Sequence, residues 1–274
     1  MDGVMSPAKQ DKIGMLLVGH GTRDRIGARE FLEVSDLIAD CLPEVHVEPA
    51  FLELAQPSIE DAVRRLLDRE IVDLVVVPLL LFAAGHVKED IPRAVTAATK
   101  VNARVTVRYA RALELQQKIV EASAERFAAT VGPTSLQQLD DAFLIMVGRG
   151  SSDSDATAAM RRFTELRMQQ TPVAAAMTGF VSIAKPTLSE ALQQAAVAPQ
   201  SIIIVQPHLL FLGQVSRRIA AAVAEAKCKV PHKTWLVSSH LGASCSVAEA
   251  AVHRFQEAMS GHADSCRDVE VGKG

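Results

Sequence analysis

The chain is poor in aromatic residues, with one Trp and one Tyr in 274 residues, too few rings for a base-stacking platform. Its net charge of −3 offers no basic field to a nucleic-acid backbone. Cysteine is scarce too. Cys41, Cys228, Cys245 and Cys266 lie far apart and form no C-x-x-C pair. Neither a zinc site nor a disulfide framework is encoded, and a reducing cytoplasm is the expected setting. No apolar run reaches the ~20 residues of a membrane span; the run 71–84 is too short. Met1 to Asp11 is polar and lacks the apolar centre of a secretion signal. No phosphate-binding P-loop pattern occurs. Hydrophobic residues, by contrast, make up 49% of the chain, enough for a large core.

These apolar residues recur in a regular order. Ile13 to Val18 reads as a strand and runs into the turn Gly19-His20-Gly21-Thr22-Arg23-Asp24. Helical spacing follows over Arg25 to Cys41, with Phe31, Val34, Leu37, Ile38 and Leu42 on one face. Val45 to Leu54 is expected as a second strand. Pro57 is expected in the first turn of a helix reaching Arg69, where proline is tolerated. Val72 to Leu81 is predicted as a third strand, apolar on both faces as helix-covered parallel strands are. It breaks at Gly85 and delivers His86 just past its carboxyl end, the edge at which open α/β sheets bind ligands. A helix carrying Lys88, Glu89 and Asp90 is predicted next. A fourth strand over Ala103 to Val107 and a long helix over Leu113 to Ala129 complete the set. Strands alternating with helices predict a parallel sheet covered on both faces.

The pattern then restarts. Gly148-Arg149-Gly150-Ser151-Ser152-Asp153 matches Gly19 to Asp24 at an offset of 129. The same offset lays Phe180 to Pro186 over Phe51 to Pro57, and Pro207 to Phe211 over Pro78 to Phe82. After one deleted residue, Gly213-Gln214-Val215 falls on Gly85-His86-Val87. Three matched blocks in order indicate an internal duplication: an α/β protein of two similar parallel-sheet domains with a cleft between them. The expected division is a flexible N-terminus over 1–12, one domain over 13–135, its repeat over 136–259, and a disordered tail over 260–274. The seam falls where Gly132-Pro133-Thr134-Ser135 reads as a connector.

A duplication supplies its own control. Residues kept in both copies maintain the fold, and reactive residues present in one copy are candidates for function. Arg149 replaces His20, Ser182 replaces Glu53 and Gln214 replaces His86. His20, Glu53 and His86 stand 33 residues apart, one βα unit each, so all three belong to carboxyl ends of strands in one sheet. Two imidazoles and a carboxylate suit a borderline divalent metal with open positions, or a proton relay. His46, His232, His240, His253 and His262 show no such arrangement and are expected on the surface or on helices. His208 falls in the strand before the second cleft edge, as a core or a cleft-lining residue, and is expected to matter less than His20 or His86. Asp24, Glu89 and Asp90 read as helix-start charges.

Gly19 to Arg23, Phe51 to Ser58 and Pro78 to His86, in this order and spacing, resemble the sirohydrochlorin chelatase family, the CbiX and SirB type of class II chelatase. The resemblance spans roughly residues 13–258, in the double-length form. It implies ATP-independent insertion of Co²⁺ or Fe²⁺ into sirohydrochlorin for cobalamin or siroheme synthesis, with His20 and His86 handling the metal beside Glu53. Nickel also suits such a donor set. The metal is then a substrate, and no organic cofactor is implied. The partners are the tetrapyrrole and the ion, with no nucleic acid or membrane, and a monomer with an internal two-fold is expected. The substrate's many carboxylates would favour a cationic cleft wall. Arg23, Lys88, Arg149 and Arg217 are the candidates, with Lys185 and Arg218 nearby. Arg149 leads, since it faces the cleft from the place of His20 in the other copy. The long members' histidine-rich stretch or cysteine cluster is missing, so no redox role is implied. A non-catalytic metal or tetrapyrrole carrier and histidine-dependent phosphoryl transfer stay open as alternatives.

Overall fold

The computed structural model describes residues 13–82, 85–171 and 173–261, without the side chains of 85–87 and 133–138. The expected N-terminal segment 1–12 and all but Ser260 and Gly261 of the expected tail 260–274 lie outside the described residues.

The first half runs β1 (Ile13–Gly19), α1 (Arg25–Cys41), β2 (His46–Phe51), α2 (Ile59–Asp68), β3 (Asp73–Pro78), α3 (Gly85–Thr99) and β4 (Thr106–Tyr109). After α4 (Gln117–Ser135) and a 3₁₀ turn (Leu136–Asp141) the second half repeats it. There β5 (Ala142–Gly148), α5 (Ser154–Gln170), β6 (Ala175–Phe180), α6 (Leu188–Val197), β7 (Ile202–Pro207), α7 (Gln214–Lys229), β8 (Thr234–Val237) and α8 (Cys245–Met259) follow. Each half forms a four-stranded sheet, ordered β2-β1-β3-β4 and β6-β5-β7-β8, and every pairing is parallel. The seam is marked by Gly132, whose φ of 70° breaks α4.

Strand alternation explains the layers. Met15 and Leu17 enter a core shared with the second half, while Leu16 and Val18 face a separate cluster under α2 and α3. The second sheet repeats this, with Leu144 and Met146 in the shared core and Ile145 and Val147 under α6 and α7. Both faces of both sheets are therefore covered, and their central strands are mostly apolar, with Gln206 of β7 a buried polar exception.

The halves also exchange their last helices. From α4, Ser123 accepts hydrogen bonds from the Gln206 amide of β7, and Arg126 donates to the carbonyl of Leu241. From α8, Arg254 donates to the carbonyl of Leu113, and Ala250 accepts from Gln116. We keep the division at 135/136 as a proposed division of the repeat; in space each half lends a helix to the other.

Several details differ from the expectations: the second strand ends at Phe51 rather than Leu54, and the fourth is Thr106–Tyr109 rather than Ala103 to Val107. Pro57 lies outside α2: Ser58 is the N-cap and accepts from the Asp61 amide, while the Pro57 carbonyl accepts from Phe51 N. The strand after Val72 stops at Pro78, and Leu80 N turns back to the Pro78 carbonyl. The apolar run continues because Leu80, Leu81 and Phe82 line a cavity. The helix predicted from Leu113 starts at Gln117, because Leu113 and Glu114 donate instead to the carbonyls of Leu80 and Leu81.

Candidate functional site

In this strand order the crossovers from β1 and β3 leave in opposite directions, which opens a crevice at their carboxyl ends. His20 follows β1 directly. Glu53 follows β2 on one flank, and the backbone of His86 opens α3 after β3 on the other. The side chain of His86 lies outside the described residues.

Backbone lacing sets the first two side chains together. Leu52 N donates to the Gly19 carbonyl at 2.9 Å and Glu53 N to the His20 carbonyl at 3.1 Å. Gly21 makes this approach possible. It has a φ of 102°, and a β-carbon there would collide with the Glu53 carbonyl oxygen. The result is His20 Nδ1 3.5 Å from Glu53 Oε1, with 38% and 53% of the two side chains exposed. Nδ1 itself is buried without a hydrogen-bond partner. A carboxylate beside Nδ1 favours the tautomer protonated there, which would leave the Nε2 lone pair for an ion.

The second copy repeats the backbone and changes the chemistry. Ser182 N donates to the Arg149 carbonyl at 3.0 Å, and Gly150 packs on the Ser182 carbonyl at a φ of 90°. Ser182 Oγ also donates to the Arg149 carbonyl, at 3.0 Å. Arg149 is exposed, and no acid pairs with it among the described residues.

Between these edges lies a cavity of about 730 Å³. His20, Leu52 and Glu53 line one wall, with Leu80, Phe82 and Asp90 beneath them. Arg149, Ser151, Ser152, Ser182 and Ile183 line the other, above Met160 and His208. The structure thus brings His20, Glu53 and Arg149 onto one cavity. Arg23, Lys88 and Arg217 are not among its lining residues. Arg217 donates to Asp24 at 2.6 Å, a bond that holds the Asp24 carboxyl below its usual range. Lys88 stands 3.9 Å from Asp153 in the related position. Asp24 and Asp153 each cap the helix that follows them, so these pairs brace the two halves across the cleft. Among the described residues, no group of three His, Cys, Asp or Glu side chains is arranged around a metal position.

Two of the lining positions, Asp90 and Ile183, went unmarked in the sequence, and a third, His208, is both core and cleft-lining, the two readings its place in the strand left open. Asp90, read as a helix-start charge, lines the cavity from the second turn of α3. Ile183 offers no chemical signal in a string of letters. His208 is buried at 3% exposure, and both ring nitrogens lack partners. It stacks on Phe163 at 3.8 Å between centroids and lies 5.5 Å from Phe82. Burial holds its imidazole down at about 3, so the ring is neutral. His240, expected on the surface or on a helix, lies in a loop with 15% of its side chain exposed and meets Glu30 at 2.8 Å, while the same carboxylate accepts from Leu212 N. That pair joins α1 to two loops of the second half, a contact with no local sequence signal.

Comparison with known proteins follows the same two-fold pattern. The profile of the family described as CbiX matches residues 14–130 and again 143–258. A sirohydrochlorin cobaltochelatase of Priestia megaterium is 26% identical over 92% of this chain and 83% of its own. A sirohydrochlorin ferrochelatase of Bacillus subtilis (strain 168) is also 26% identical, over 90% and 92%. SirB from Bacillus subtilis, solved with Fe³⁺, superimposes with a TM-score of 0.79 at 26% identity, over 92% of this chain and 97% of that one.

Proposed function

The chain belongs to the CbiX family, and we propose that it inserts a divalent metal ion, Co²⁺ or Fe²⁺, into sirohydrochlorin without ATP. The observation that carries this is the cavity of about 730 Å³ with a His20–Glu53 pair on one wall and, on the other, Arg149, which has no acid partner among the described residues. Such a cleft can take a carboxylated macrocycle and present an ion to one of its faces.

Insertion forms metal–nitrogen bonds and releases two pyrrole protons. In the proposed mechanism His20 holds the ion through Nε2, with Glu53 orienting the ring and offsetting the cation's charge. His86, on the adjacent strand end, is the proposed second nitrogen ligand. As the ion passes to the pyrrole nitrogens, the two imidazoles and Glu53 are freed to accept the departing protons. Arg149 is the proposed partner of a substrate carboxylate, with Arg23 and Lys88 in outer supporting roles. Arg217 is set aside for this purpose by its bond to Asp24.

Relatives named for cobalt and for iron are equally similar to this chain, and the donor set accepts Co²⁺, Fe²⁺ or Ni²⁺. On this reading no organic cofactor is needed, one chain closes the cleft, and a monomer suffices. No described helix is long and apolar enough to cross a membrane, and exposed free cysteines at 41, 228 and 245 fit a reducing compartment such as the cytoplasm.

The test is incubation of the protein with metal-free sirohydrochlorin and Co²⁺, Fe²⁺ or Ni²⁺, followed by absorbance. Multiple turnovers support the proposal. Binding that stops at one equivalent identifies a carrier, and no interaction refutes both.

A further inference from the structure

Ile183 occupies an unusual backbone state. Its φ is 61°, and Ala184 N donates across it to the Ser182 carbonyl at 2.7 Å. This is a γ-turn with a positive-φ centre, a rare and strained form, and a β-branched residue is among the least suited to it. The side chain is also 73% exposed, although it is fully apolar. It lines the cavity beside Arg149 and Ser182, on the wall opposite His20 and Glu53.

The first copy separates what the fold needs from what this wall needs. Leu54 sits in the same turn at a φ of 63°, with Ala55 N donating to the Glu53 carbonyl at 2.8 Å. The turn therefore belongs to the fold. Leu54, however, is not among the cavity-lining residues, so only the second copy turns this apolar tip toward the cleft. Its frame is stiff, since Ser182 is tied to the Arg149 carbonyl by both N–H and hydroxyl.

We infer that Ile183 is the seat for the substrate macrocycle: it contacts the apolar face turned away from the metal-handling wall, while the neighbouring Arg149 takes a rim carboxylate. A conjugated tetrapyrrole has two apolar faces and an anionic rim, and this wall sets one apolar tip beside one cation. The inference rests on the chelatase reading. It adds a specificity-determining residue that touches neither the ion nor the reacting protons.

The experiment titrates metal-free sirohydrochlorin into the wild type, Ile183→Gly and Ile183→Leu, with Co²⁺ binding measured in parallel. Glycine accepts the positive φ, so Ile183→Gly is expected to melt at or above the wild-type temperature. Losing a side chain that the bound macrocycle would cover is expected to weaken tetrapyrrole binding, and to raise KM, about tenfold. Co²⁺ affinity and kcat stay unchanged, and Ile183→Leu recovers most of the loss. Wild-type tetrapyrrole affinity in Ile183→Gly overturns the inference, as does an equal loss of Co²⁺ binding. A wild-type protein that does not bind sirohydrochlorin at all defeats the chelatase reading instead.

Discussion

Exchanging His208 for leucine, the residue at the matching position 79, should stabilise the protein and change how its stability responds to acid. Leu79 and His208 hold equivalent places: the amide of each donates at 2.8 Å to the carbonyl of the central strand, Val18 or Val147. Leu79 is 1% exposed, so the repeat accommodates a leucine there. At neutral pH the imidazole leaves a donor and an acceptor unpaired, at a cost of about 1–3 kcal/mol. Acid adds a second cost. The folded imidazole is held at about 3, below its unfolded value of about 6.5. As pH falls, the unfolded chain takes up the proton first, so stability is lost from about pH 6.5 down to about pH 3. The loss from this one group is ~2 kcal/mol at about pH 5 and close to zero at about pH 7.5. Urea unfolding followed by the fluorescence of the buried Trp235 measures both. The leucine variant should be the more stable at about pH 7.5, and its advantage should grow by ~2 kcal/mol at about pH 5. An advantage that does not grow in acid, or a variant less stable at both pH values, refutes the reasoning.

Four further outcomes are expected. His20→Ala and His86→Ala each lower metal insertion at least ~100-fold with unchanged circular dichroism; full activity in both removes their assigned roles. Glu53→Gln keeps the fold and weakens Co²⁺ binding by roughly 10–100-fold, read by equilibrium dialysis. Gly21→Ala collides with the Glu53 carbonyl at a positive φ and is expected to cost at least ~2 kcal/mol, measured by thermal unfolding; a fully stable variant contradicts the lacing of the two loops. Arg149→Ala raises KM for the tetrapyrrole, whereas Arg217→Ala leaves KM in place, since Arg217 is bonded to Asp24; steady-state kinetics on both variants separates the two cations.

Much of the molecule was legible in its letters. Gly21 and Gly150 mark the same close approach in both copies, and Pro57 with Pro186, and Pro78 with Pro207, keep the repeat in register. Because each motif follows a strand, the meeting of His20 and Glu53 at one cleft edge could be read from their spacing, whereas the side chain of His86 lies outside the described residues. Other features depend on where faces meet. The apolar face of α4 announces burial without saying that α5 and α8 of the other half will cover it. Arg217 looked free for substrate because Asp24 is 193 residues away. Pro78 ends the third strand while the apolar run goes on, because hydrophobicity alone does not distinguish a ladder from a cavity floor. His208 and Ile183 were ambiguous for the same reason: each occupies a place that an apolar residue also fills in the twin copy, and only the cavity shows which copy uses it.

The central claim is that the two copies divide the work, with ion-handling donors on one sheet edge and substrate contacts on the other. It is tested most directly by giving the first edge the residues of the second, as His20→Arg, Glu53→Ser and His86→Gln in one chain, and measuring multiple-turnover insertion of Co²⁺ into sirohydrochlorin beside the wild type. The account predicts many turnovers for the wild type and none above the uncatalysed rate for a triple variant that still folds and still binds the tetrapyrrole. Sustained turnover by that variant would contradict it.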